Sequence, residues 1–214
     1  MNNLDKDNVN EVLDMLLRTR RSTRSFTKEV PSKESIEEII EAGRLAPYAI
    51  LAVAKQTDFR HFFVISNNSL QMDKIKTILS DVIKSEISIH EKKAENNITL
   101  HSFITSLKMQ VEKGALGVGI APYLVIVAER HGIPAIEQKS LSHVMQNMWL
   151  KATALGLGFE LVSAIGRLSD NKDFCDILGL PTREYGFDAC TIGFPATSVT
   201  KEGRAVPYPS IKWL

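Results

Sequence analysis

Ala121-Pro122-Tyr123-Leu124-Val125-Ile126-Val127-Ala128 is the longest apolar stretch of the chain. Eight residues suit a strand and fall far short of the roughly 20 that a membrane-crossing helix needs. A run that is apolar at nearly every position, with no alternation, marks a central strand covered on both faces. Three further stretches read as strands or extended segments. Residues 59–65 (FRHFFVI) are aromatic and β-branched and are ended by Ser66-Asn67-Asn68. Residues 159–165 and 188–194 (DACTIGF) carry the same kind of side chain.

Helical periodicity fills the intervals. Val9, Val12, Leu13 and Leu16 make one apolar stripe and predict a first helix from Val9 to about Thr19. Ser32 reads as the N-cap of a second helix, with Glu34, Glu37 and Glu38 in its early turns and Ile36, Ile39, Ile40 and Gly43 on its buried face. From about 70 to 113 the pattern is helical, with Ile75, Ile78, Leu79, Val82 and Ile83 on one stripe and Phe103, Leu107 and Val111 on another. This excursion reads either as two helices over a core or as a lid or dimer-wrapping arm. A long helix over 140–155 ends at Gly156-Leu157-Gly158, and a short one over 171–178 closes at Gly179. Few strands among many helices point to an α+β sandwich more than to a doubly wound sheet. The length of 214 residues suits a single domain, 1–214, carrying the 70–113 excursion.

Composition narrows the function. A net charge of +1 gives no global reason to expect nucleic acid, so any anion site must be built locally. The opening MNNLDKDNVN has neither the apolar core of a signal peptide nor a basic amphipathic face, which makes the cytoplasm the expected location with no membrane attachment. Cys175 and Cys190 are in no CxxC or zinc spacing and are expected to be free thiols. The histidines form no HxxxH or HExxH pair, so no protein-built metal site is expected. The sharpest local feature is Arg20-Arg21-Ser22-Thr23-Arg24 at the end of the first helix. Three guanidiniums and two hydroxyls can surround a phosphate with forked donors; they can equally be a solvated basic end that complements the helix dipole. Lys201 and Arg204 form a second basic cluster in the proline-rich tail, which could converge on the same anion. No GxGxxG follows a strand, and no GxSxG or P-loop is present. The tail ends in Ile211-Lys212-Trp213-Leu214, apolar enough to require burial against this chain or a partner.

The order of these motifs resembles the nitroreductase family of flavoenzymes. The family's opening R-R-S-x-R-x-F is matched by Arg20-Arg21-Ser22-Thr23-Arg24-Ser25-Phe26, and its alanine-proline loop by Leu45-Ala46-Pro47. The Ala121-Pro122 strand, Gln146-Asn147, Gly156-Leu157-Gly158, Leu178-Gly179-Leu180-Pro181, Gly193-Phe194-Pro195 and Arg204 follow in the family's sequence. One departure stands out: the family loop continues to N-x-Q-P-W, whereas residues 48–59 read YAILAVAKQTDF.

The resemblance implies a nitroreductase-like α/β sandwich, with a mostly antiparallel central sheet flanked by helices and a domain-swapped C-terminal tail in a homodimer. It implies FMN at the dimer interface and NAD(P)H as electron donor. Arg20 and Ser22, with Arg204, would hold the phosphate, Arg21 would belong to the same cofactor site, and Arg24 would lie towards the ribityl chain and pyrimidine edge. Leu161 and Val162 would pack on the ring, unless they are plain core. The backbone of Ser163 and Ala164 would meet flavin N5. No side chain need be catalytic, because the flavin carries the redox chemistry. The implied reaction is ping-pong: hydride passes from NAD(P)H to N5, then on to an electron-poor small-molecule acceptor such as a nitroaromatic or quinone. Three alternatives stay open: a dedicated substrate (dehalogenation or flavin conversion), favoured by the altered loop, a non-catalytic flavin-binding protein, and a basic-cluster module unrelated to flavin.

Overall fold

The computed structural model describes residues 6–93, 97–113, 117–197 and 210–214. Helices α1 (Lys6–Thr19) and α2 (Lys33–Arg44) precede strand β1 (Arg60–Ser66). The helices α3 (Leu70–Glu91) and α4 (Ile98–Lys113) follow, then β2 (Tyr123–Arg130) and α5 (Glu137–Ala154). The chain closes with β3 (Gly158–Leu161), a 3-10 helix (Ser163–Arg167), α6 (Lys172–Leu178) and β4 (Tyr185–Gly193). The strands form one antiparallel sheet in the order β1-β2-β4-β3.

The unbroken apolar run is explained by β2's central place. Leu124, Ile126 and Ala128 point to one face, where they meet Met72, Ile75 and Leu79 of α3 and Phe174 of α6. Val125 and Val127 point to the other, against Ile36 and Ile39 of α2 and Val144, Met145 and Met148 of α5. Each side chain buried this fully contributes about 1.5–3 kcal/mol by transfer from water. Gly43 lets α2 approach α5 and β1, since a Cβ there would come within 2.9 Å of Met148 and 3.1 Å of Phe62. Ser32 caps α2 as expected, its hydroxyl accepting from the Ser35 amide at 3.2 Å. Cys175 and Cys190 are buried free thiols.

One buried ionic network ties the layers together. Arg60 donates to Glu129 at 3.0 Å and to Ser140 Oγ at 2.8 Å, and to the carbonyls of Gly43 and Ala46, both at 3.3 Å. The Ser140 hydroxyl donates to the same Glu129 oxygen at 2.9 Å. Removing one partner of a buried pair of this kind typically costs about 3–5 kcal/mol. The network holds α5 and the 46–47 loop to the first two strands.

One expectation needs correction, and two apolar surfaces stay uncovered in this chain. The stretch 159–165 is strand only to Leu161. Beyond it Val162, Ile165 and Leu168 are buried at a spacing of three, the period of a 3-10 helix, and a short apolar run does not separate the two by pattern. Helix α1 has the predicted stripe but buries nothing in this chain, leaving Val9, Val12, Leu13, Met15 and Leu17 exposed. The tail does not bury against this chain either, for Ile211, Trp213 and Leu214 are 76%, 93% and 110% exposed. Lys201 and Arg204 lie outside the described residues.

Candidate functional site

The end of α1 leads the basic cluster onto the β3 edge of the sheet. Ser22 forms a parallel bridge with Phe159, and the Thr23 amide donates to the Phe159 carbonyl at 3.0 Å. Further along, the Thr27 amide donates to Phe194 at 2.8 Å and the Ala196 amide to Ser25 at 3.0 Å. This requires Gly158. A Cβ at that position would lie 2.6 Å from the Thr23 side chain, which is buried there. The turn delivering Gly158 is built by Gly156 (φ +71°), with the Leu157 amide on Ala152 at 2.8 Å and the Gly156 amide on Thr153 at 3.1 Å. That double closure is a Schellman end to α5.

Within the cluster the side chains divide. The Arg20 guanidinium lies 4.0 Å above the Trp149 ring, which stacks on Phe159 at 5.1 Å. Trp149 in turn donates from Nε1 to the Arg21 carbonyl at 3.2 Å. A guanidinium stacked face-on keeps its donors in its own plane, directed sideways. Ser22 and Arg24 are exposed. Arg21 instead donates to the carbonyls of Arg18 and Arg20 at 2.7 and 2.9 Å, so that part of the cluster closes the C-terminus of α1. On the neighbouring segment Leu161 and Ala164 are half-buried and Ser163 is exposed. The Ser163 and Ala164 amides open the 3-10 helix, where the first N–H groups have no intrahelical acceptor. Val162, expected against a ring unless it is plain core, is fully buried in the core cluster.

The structure thus sets Arg20 on Trp149, Ser22 beside Phe159 and Arg24 beside Glu160, along the strand that runs on through Leu161 to Ser163 and Ala164. Loop 48–59 leads into β1, the opposite sheet edge. There Tyr48, Thr57 and Phe59 help line a cleft of about 660 Å³ with Ile40, Arg44 and Phe62. Among the described residues no group of acidic, histidine and cysteine side chains is arranged to hold a metal, and no helix is long and apolar enough to cross a membrane.

Three residues near the cluster were not anticipated. Trp149 lies on α5, and nothing in the sequence pattern marks it as a platform for Arg20. Glu160 sits in the cluster's strand with its side chain 6% exposed and 3.8 Å from Arg24. Burial pushes its pKa up, and the Arg24 charge opposes that rise. Asp188 lies in β4, two positions before Cys190, the partner of Leu161, so it stands past the end of the β3 pairing, on the side towards Ser163. Burial pushes its carboxyl up to about 6, against the lowering effect of the Ala189 amide.

Against known proteins, the chain matches the model of the nitroreductase family over residues 17–200. No curated protein matches it. Among solved structures, a nitroreductase with bound FMN from Bacteroides fragilis is 20% identical, with a TM-score of 0.69, over 95% of this chain and 98% of its own. A nitroreductase with bound FMN from Desulfitobacterium hafniense is 20% identical, with a TM-score of 0.64 and the same coverages, 95% and 98%. An FMN-dependent nitroreductase from Clostridium difficile is 20% identical at a TM-score of 0.56, over 86% of this chain and 88% of its own. At these identities the likeness is one of fold.

Asp188 yields a pH prediction. Its folded pKa is raised above the unfolded value, so the folded chain holds this proton more tightly. The associated stability is full below about pH 4 and is lost as pH rises to about 6. Asp188→Asn is expected to flatten urea-melt stability across that window and to raise it at pH 7 by about 1–3 kcal/mol. An unchanged pH slope would contradict the assignment.

Proposed function

Since the chain belongs to the nitroreductase family, matching its model over residues 17–200, we propose that it is an FMN-dependent oxidoreductase. The observation that carries this reading is the Thr23–Phe159 backbone bond, which lays the arginine cluster beside the strand leading to Ser163. The donor set fits the cofactor. Arg20 and Ser22 supply forked and hydroxyl donors suited to a phosphate, and Arg24 supplies a cation for the ribityl and pyrimidine side. Ser163 and Ala164 offer backbone N–H groups, and Leu161 a partly exposed apolar surface. Arg204 joins this set by its place in the motif order. Bound FMN would supply the redox chemistry, taking electrons from NAD(P)H and passing them, in ping-pong order, to an electron-poor acceptor such as a nitroaromatic or quinone.

The chain's own part is to bind, orient and shape charge. Arg24 favours negative charge on a reduced ring system beside it, as oxyanion-hole donors favour an oxyanion. Trp149 fixes the plane of Arg20, limiting the rotamer entropy lost when the guanidinium takes up a phosphate. A second reading, a dedicated substrate in place of a broad acceptor range, is favoured by loop 48–59, which lacks the family's N-x-Q-P-W and lines its own cleft.

The reading includes a homodimer with exchanged C-terminal tails. The apolar stripe of α1, the exposed Trp213 and Leu214, and the outer edge of β1, unpaired among the described residues, all support it. So does the placement of loop 48–59 and the arginine cluster at opposite sheet edges. Two chains, each lending a different edge, can build one site from both.

Two measurements test this. Arg20→Ala is expected to weaken FMN retention by about 1.5–3 kcal/mol, the scale of a hydrogen bond to a charged group. Unchanged affinity in a fluorescence titration would remove Arg20 from the site. Sedimentation of the FMN-loaded protein at micromolar concentration is expected to report a dimer; a stable flavin-bound monomer would overturn the exchanged-tail assembly.

A further inference from the structure

Glu160 is out of keeping with the face it occupies. Two residues along that face Val162 is fully buried, and the cross-strand partner is Thr191, 1% exposed. A carboxylate on a side chain only 6% exposed is costly unless it is both paired and hydrogen-bonded. Here only half of that condition is met. Oε1 lies 3.8 Å from the Arg24 Nε, while Oε2 and the Thr191 hydroxyl have no hydrogen-bond partner among the described residues. Gly117 (φ +72°) closes over both, at a point where a Cβ would come within 2.9 Å of Thr191 Oγ1 and 3.2 Å of Glu160 Oε2. An uncharged β-former would satisfy this strand position without that cost. What the carboxylate has is Arg24, whose side chain is 78% exposed.

We propose that Glu160 is a positioning residue for the flavin site: it is the counter-ion of Arg24 and sets the net positive charge that Arg24 presents to bound FMN. The inference rests on the FMN reading above. A cation beside the pyrimidine edge favours the reduced, negatively charged flavin, and a carboxylate close to that cation opposes it. Backbone hydrogen bonds at Thr23 and Ser25 flank Arg24 on both sides. The Arg24 backbone therefore stays at the site when the carboxylate's charge is removed, and the proposal concerns the charge that reaches the flavin. Glu160 thus holds the flavin potential down and makes the reduced protein a stronger electron donor.

The test is the flavin midpoint potential of the FMN-loaded protein in wild type, Glu160→Gln, Arg24→Gln and the double variant. Glu160→Gln is expected to shift the potential positive and Arg24→Gln to shift it negative. In the Arg24→Gln background Glu160→Gln is expected to add little, because a buried carboxyl that has lost its cation takes up a proton. Glu160→Thr, uncharged and strand-favouring, should reproduce the positive shift and covers a folding failure of the amide variant. No shift, a negative shift, or a shift of equal size in both backgrounds overturns the proposal, since a merely structural role would not depend on Arg24. Wild-type protein that takes up no FMN overturns the flavin reading and this inference with it. FMN-binding wild type whose potential Glu160→Gln leaves unmoved overturns this inference alone.

Discussion

The Thr23 amide reaches the Phe159 carbonyl at 3.0 Å because position 158 has no side chain, and the candidate site depends on that approach. A methyl group at Gly158 would meet Thr23 at 2.6 Å and push the 22–27 segment off the edge of β3. With the segment in place, Arg20 lies on Trp149, Arg24 beside Glu160, and Ser22 level with Phe159. Without it the same residues would be a basic loop at the end of a helix. Here a backbone contact, more than any side-chain pair, turns a sequence motif into a site.

The two edges of the sheet are treated differently. The β3 edge is covered by the arginine segment, which further along pairs with the chain beyond β4. The β1 edge carries no further strand among the described residues and borders the cleft lined by Tyr48, Phe59 and Phe62. Between them the central strands are buried on both faces, and the Arg60–Glu129–Ser140 network fixes α5 against β1 and β2. Because α5 also carries Trp149 and ends at the turn before Gly158, the same helix joins the rigid core to the arginine cluster. Such a site is placed by the core, as preorganised binding requires.

Much of the fold was legible because the signals were periodic. The apolar run 121–128, the Ser32 cap, the stripes of α2 and α3 and the glycine end of α5 each reflect a local rule that packing then obeyed. The misreading of 162–165 came where pattern is weakest, in a short apolar stretch whose burial at a spacing of three fits a 3-10 helix once β3 ends. The arginine cluster was legible as an anion-binding candidate, but its division of labour was not. That Arg21 closes a helix while Arg20 stacks on Trp149 depends on contacts 128 residues apart in sequence, such as the Trp149 Nε1 bond to the Arg21 carbonyl. Glu160 was invisible for a related reason: a lone glutamate in an apolar segment carries meaning only once Arg24 is known to face it.

The account turns on whether this chain holds FMN that exchanges electrons with a nicotinamide. The direct measurement is an absorption spectrum of the purified, FMN-supplemented protein, followed anaerobically through additions of NADH and of NADPH. Flavin bands that stay with the protein through gel filtration and bleach on adding one nucleotide or both are the predicted result. A protein that emerges colourless, having taken up no FMN, would contradict it.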